Sequence, residues 1–161
     1  MTWRLWDVET GKDLLEQEGH SRPIHAISFH PDGSLAATAG FDCLGRIWDV
    51  RSGKSIQVTR GHSKPVLGLE FSGNGYHLAS CSEDNTVRIW DLRKKRQLYV
   101  IPAHTNNVVT AKFIHNSDMI MTASFDNTIR FWSALDFSPI KTVFGRFFLS
   151  RSGYFRGYFL S

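Results

Sequence analysis

Residues 61–92 read GHSKPVLGLEFSGNGYHLASCSEDNTVRIWDL. Short apolar runs alternate there with turn residues, and the landmarks of the stretch return elsewhere in the chain. Gly61-His62 repeats Gly19-His20 at an interval of 42 residues, and Ala103-His104 follows at the same interval. Trp90 belongs to the series Trp6, Trp48, Trp90 and Trp132, Asp84 to Asp42, Asp84 and Asp126, and Phe71 to Phe29, Phe71 and Phe113. Four kinds of marker held in one register define an internal repeat, and a period in the 20–50 residue range means stacked units that bury one another's faces.

Each unit reads as four short strands. In the first, Ile24–Phe29, Leu35–Ala39, Gly45–Val50 and Ser55–Thr59 are β-prone runs, bounded by turn residues. Pro31-Asp32-Gly33 supplies one turn, and Gly73-Asn74-Gly75 its counterpart in the next unit. Ser52-Gly53-Lys54 supplies another, with Gly53 free to adopt a positive φ. At the corresponding position the second unit has Lys95, inside the run Arg93-Lys94-Lys95-Arg96. A side chain at that turn costs about 1 kcal/mol.

Composition fits a folded, non-secreted protein. The 161 residues are 42% apolar, as a globular chain requires. No apolar run approaches the length of a transmembrane helix, and residues 1–11 have none of the order of a secretory signal. Two cysteines, Cys43 and Cys81, make no disulfide framework, which points to a reducing compartment. The net charge of +4 is concentrated at the C-terminus, where Arg146, Arg151 and Arg156 stand without an acid. Without them the body is close to neutral and lacks the overall basicity of a nucleic-acid surface.

A period of 42 with Gly-His and Trp-Asp markers resembles the WD40 repeat family from residue 2 to residue 145. The resemblance implies an all-β fold: a partial WD40 β-propeller over residues 1–145, forming an open arc. Three four-stranded blades would occupy 24–60, 66–102 and 108–144, and residues 2–18 would supply the last two strands of a preceding blade. Four side chains recur per unit: His20, Thr38, Asp42 and Trp48; His62, Ser80, Asp84 and Trp90; His104, Thr122, Asp126 and Trp132. Each set has the composition of a hydrolase triad with a tryptophan added. A catalytic constellation occurs once, in a cleft, whereas this one occurs in every unit. The resemblance implies a structural hydrogen-bond chain tying the Gly-His loop to the third strand, so no enzyme activity is expected. The repeated histidines stand one per unit and cannot converge on one zinc ion, and no phosphate-binding loop or dinucleotide fingerprint is present. No metal, no cofactor, no small-molecule substrate and no membrane contact are expected.

Four stretches narrow the resemblance: TWRLWDVETGK (2–12), EGHSRPIHAISFHPDGSLAATAGFDCLGRIWDVRSGK (18–54), NGYHLASCSEDNTVRIWDLR (74–93) and FSPIKTVFG (137–145). They are similar to the WD-repeat subunits of the U4/U6 small nuclear ribonucleoprotein, the Prp4-type pre-mRNA splicing factors. That implies a nuclear, non-catalytic scaffold docking spliceosomal snRNP proteins, with U4/U6 snRNA as a further contact, in the U4/U6·U5 tri-snRNP. One broad face would present His25, Phe41, Leu67, Glu83, Asn107, Val109 and Phe125 to a protein partner. Arg93, Lys94, Lys95 and Arg96 would form an RNA-binding or nuclear-import cluster, set against a plain solvated turn. The alternative is a substrate receptor docking a cullin-type ubiquitin ligase adaptor, since Trp48-Asp49-Val50-Arg51 and Trp90-Asp91-Leu92-Arg93 fit a WDxR pattern. After Gly145 the text turns to RFFLSRSGYFRGYFLS and leaves the family pattern. Residues 146–161 are therefore expected not to complete a further blade, and the whole to be a piece or truncated form of a larger propeller protein.

Overall fold

The computed structural model describes residues 1–115, 117–145, 147–149 and 155–157, the last two stretches as strand backbone only. Every regular element among them is a β-strand. β1 (Thr2–Trp6) and β2 (Asp13–Glu18) form a hairpin. Three four-stranded antiparallel sheets follow in chain order. The first contains β3 (Ile24–Phe29), β4 (Leu35–Gly40), β5 (Gly45–Asp49) and β6 (Ser55–Thr59). The second contains β7 (Val66–Phe71), β8 (His77–Ser82), β9 (Val87–Asp91) and β10 (Arg96–Ile101). The third contains β11 (Val108–Phe113), β12 (Met119–Ser124), β13 (Thr128–Ser133) and β14 (Pro139–Phe144). β3 lies beside β7, and β7 beside β11, so the sheets stack through their first strands as propeller blades do. The all-β, partial-propeller fold expected from the repeat is the fold observed.

The second strand of each sheet shows why they stack. β4, LAATAG, and β8, HLASCS, are buried on both faces over their last five residues, because a neighbouring sheet covers each side. Ala36, Ala37, Ala39 and Ala79 are small enough to let the sheets approach. Larger residues fill the space between them: Ile47 with Leu69, Phe71, Leu78 and Trp90 at one junction, and Ile89 and Ile101 with Val108, Ile120 and Trp132 at the next. Trp3 packs edge-on against Trp48, with ring centroids 5.7 Å apart, and joins the hairpin to the first sheet.

Two features of the strands are invisible to a period count. The ladder between first and second strands skips one residue in each sheet: His25, Leu67 and Val109. Between the last two strands it skips Leu14, Ile56, Leu98 and Ile140. Each is a β-bulge, which bends the strand and re-aims a side chain.

In the tail, β15 (Phe147–Leu149) and β16 (Phe155–Gly157) pair with each other as a two-stranded ladder. The remainder of 146–161, including Tyr158-Phe159-Leu160, lies outside the described residues.

Candidate functional site

The repeated tetrads are hydrogen-bonded chains. In the first sheet His20 Nδ1 donates to Asp42 Oδ2 at 2.8 Å, and Nε2 meets Thr38 Oγ1 at 2.8 Å. Trp48 Nε1 donates to the same hydroxyl at 2.8 Å. A carboxylate only accepts and an indole N–H only donates. The Nδ1–H of His20 therefore donates to Asp42, and the Thr38 hydroxyl, between imidazole and indole, accepts from Trp48. The second sheet repeats the chain with distances of 2.8, 2.8 and 2.9 Å, and the third with 2.9, 2.8 and 3.0 Å.

This is the side-chain order of a serine-hydrolase triad, but the hydroxyl is unreachable. Thr38 and Thr122 have no exposed surface and Ser80 has 1%, and each already accepts the tryptophan N–H. Each sits in the middle of a sheet rather than in a cleft. What the chain does is hold the loop before the first strand against the turn between second and third strands. The carboxylate reaches that loop too, accepting from the backbone N–H of Ser21, Ser63 and Thr105.

Two sheets add a fifth member that the sequence reading passed over. Thr86 Oγ1 donates to Asp84 Oδ1 at 2.7 Å, and Thr128 Oγ1 to Asp126 Oδ1 at 2.6 Å. The Asp-x-Thr spacing was its signal; the first sheet has Asp42-Cys43-Leu44 there. Burial works against ionisation of Asp84, but the bonds from His62 and Thr86 outweigh it and hold its carboxyl well below the usual range. Asp126 is likewise opposed by burial and brought to about 2 by Thr128 and His104. Burial lowers the pKa of His104, although Asp126 opposes that shift. A second unremarked series is Arg46, Arg88 and Arg130, whose buried Nε atoms have no partner among the described residues.

The seven residues assigned to one face cluster at the same strand ends. His25, Leu67 and Val109 are the bulge residues, lifted out of the ladder. Phe41, Glu83 and Phe125 precede the aspartates, and their backbone N–H groups bond Pro23, Pro65 and Asn107. His25 touches Phe41 edge-on at 6.0 Å, and its Nδ1 lies 3.0 Å from the Leu67 carbonyl, tying the face of the first sheet to that of the second. Phe41 is 38% exposed and Phe125 56%, which leaves aromatic surface in the open.

The basic run lies at the opposite strand ends, in the β9–β10 turn. Lys95 takes φ +52° and Lys94 N–H bonds Asp91. The Arg93 guanidinium lies 4.3 Å from the centre of the Tyr76 ring, which leaves Lys94, Lys95 and Arg96 as the unstacked members. Phe137, the counterpart of Lys95 in the third sheet, also takes a positive φ, +61°, and stacks on Tyr99 at 5.0 Å. Both cysteines are free thiols; burial pushes Cys81 up to about 12. Among the described residues no three His, Cys, Asp or Glu side chains are grouped to hold a metal ion, and no helix is long and apolar enough to cross a membrane.

Comparison with known proteins agrees with this architecture. The family model "WD domain, G-beta repeat" matches residues 11–49, 53–91 and 95–133. WD repeat-containing protein 37 of Homo sapiens is 47% identical over 38 residues, 24% of this chain and 8% of that protein. Its counterpart in Xenopus tropicalis is 45% identical over the same length and shares. Among solved structures, U3-55K superimposes with a TM-score of 0.76 at 28% identity, over 80% of this chain and 41% of that one. The WD40 repeats of RRP9 give the same score and identity over 80% and 40%. The chain thus spans less than half the length of each of these proteins.

Proposed function

The chain belongs to the WD40 repeat family, and we propose that it is a non-catalytic docking scaffold of the nuclear splicing machinery. Its place would be in the U4/U6·U5 tri-snRNP, where it would hold spliceosomal proteins. The observation that carries the docking part is the exposed aromatic surface of Phe41 and Phe125 beside the bulge residues. Aromatic side chains in a rigid frame supply contact area at low entropic cost, and such groups dominate interface energies. The splicing assignment rests on the similarity of residues 2–12, 18–54, 74–93 and 137–145 to Prp4-type factors.

Pull-down of the chain from nuclear extract, read by mass spectrometry, tests both parts. Spliceosomal snRNP proteins are expected, and their recovery should fall at least tenfold for the Phe41→Ala/Phe125→Ala double variant. Recovery of a ubiquitin-ligase adaptor instead would move the function to the WDxR motifs. One of their two arginines, Arg93, is already held by Tyr76. For the basic turn, replacing Lys94 and Lys95 by Ser should weaken U4/U6 RNA binding and flatten its salt dependence. An unaltered slope would return these residues to a solvated turn.

A further inference from the structure

Between the second and third sheets, at the strand ends away from the tetrad turns, lies a cavity of about 690 Å³ lined by Phe71, Ser72, Phe113, Ser117, Asp118 and Phe137, with Glu70 among its other walls. That volume falls in the range of ligand sites. The junction between the first and second sheets is built from the same repeat positions and is bridged from within. There His30 crosses the gap, its Nε2 2.9 Å from the Gly75 carbonyl and its ring edge-on to Phe71 at 5.3 Å. Asp32 anchors its Nδ1 at 2.6 Å. A Cβ on Gly75 would fall 2.4 Å from that ring, so glycine makes the room. Beside it the Arg93 guanidinium covers Tyr76.

Forty-two residues on, each filler has been replaced and the balance of charge shifts from basic toward acidic. His30 becomes Ser72, whose hydroxyl turns back to Asn74 at 2.7 Å. Arg93 becomes Leu135 and Lys95 becomes Phe137, while Ser28 becomes Glu70 and Tyr76 becomes Asp118. The first junction carries a histidine and two cations of its own. The second has lost all three, exchanged the carboxylate of Asp32 for the amide of Asn74, gained the carboxylates of Glu70 and Asp118, and kept aromatic walls in Phe71, Phe113 and Phe137. Glu70 is half-buried, and burial raises its pKa despite Lys112 at 3.2 Å and the Phe113 N–H at 2.9 Å. The remaining titratable groups on the walls are His77 and His115.

We propose that this cavity is a socket for an arginine side chain presented by a protein partner. The guanidinium would lie toward Asp118 and Glu70, and its methylene stem against Phe113 and Phe137. A planar, always charged head on an apolar stem matches acidic groups beside aromatic walls better than a lysine ammonium does. The socket is at the opposite strand ends from Phe41 and Phe125, so it does not depend on which assembly that face serves.

The test uses the purified chain and N-acetyl-arginine amide, followed by amide chemical shifts. Saturable shifts at Phe113, Ser117 and Phe137 are expected. The neutral isostere N-acetyl-citrulline amide should bind at least tenfold more weakly, and the lysine analogue should fall between. Asp118→Asn, at an exposed position, should weaken binding about tenfold and leave the melting temperature unchanged. Ser72→His, which restores the filler of the first junction, should abolish it; Ser72→Leu serves the same purpose if the histidine variant does not fold. No saturable shift, equal binding of citrulline, or binding unchanged in Asp118→Asn would each overturn the proposal. None of these outcomes bears on the pull-down from extract.

Discussion

The first sheet and the third carry the same four-residue chain, yet only the third adds the threonine that makes a fifth member. In the third, Asp126 takes bonds from His104, Thr128 and the backbone N–H groups of Thr105 and Thr128. In the first, Asp42 takes bonds from His20 and the backbone of Ser21 and Leu44, and Leu44 offers no hydroxyl. The turn residue differs as well. Asn127 holds φ +62° and Cys43 holds +64°, a conformation that asparagine tolerates and cysteine does not favour. The difference teaches that the His–hydroxyl–Trp–Asp chain is the indispensable part. The residues around it are a variable margin, spent at the turn where Phe41 opens onto the proposed docking face.

The largest effect that sharpens this contrast is loss of the carboxylate. Asp84→Ala in the complete second sheet leaves the buried His62 N–H and the Thr86 hydroxyl without their acceptor. It should cost about 3 kcal/mol, against about 2 kcal/mol for Asp42→Ala. Urea unfolding measures both, and equal losses would remove the distinction between the sheets.

Acid should act next. The carboxyls of Asp84 and Asp126 are depressed in the folded state, so their contribution is complete above the unfolded value of about 4. It is lost as pH falls through the folded value, about 2 for Asp126. His104, whose pKa burial lowers, resists protonation when folded. It therefore begins to cost stability once pH falls below about 6.5. Stability measured from pH 7 to pH 2 should decline in two stages, and Asp126→Asn should flatten the lower one.

Smaller changes should close the gap. Leu44→Thr supplies the missing donor and should add about 1 kcal/mol to stability. Cys43→Asn relieves the turn and should add about 0.5 kcal/mol. A rise in melting temperature checks each, and a fall on Leu44→Thr would mean that the apolar side chain is needed where it stands.

Much of this was legible because a repeat states its own rules. The interval between Trp48 and Trp90 places the strands, and the offsets from His62 to Ser80, Asp84 and Trp90 pick out residues that the structure joins within 3 Å. Thr86 and Thr128 were readable as Asp-x-Thr, and the absence at Leu44 was visible beside them. The bulges at His25, Leu67 and Val109 were not, because one extra residue in a ladder leaves no trace in a period that every unit shares. The contact of Phe137 with Tyr99 escaped for a different reason. It lies between two sheets, and no local pattern announces a contact between distant turns.

The outer bulges at Leu14, Ile56, Leu98 and Ile140 carry a consequence for life in a crowded solution. β6, β10 and β14 are the last strands of their sheets, and each presents a row of backbone groups to its surroundings. A flat outer strand of that kind is a template on which another chain can grow a fibril. Here the skipped residue breaks the hydrogen-bond rhythm near the start of every such strand and increases its local twist. An incoming strand would match only part of the row before falling out of step. Straightening one outer strand by deleting Ile56 would therefore be felt as lost solubility more than as lost stability.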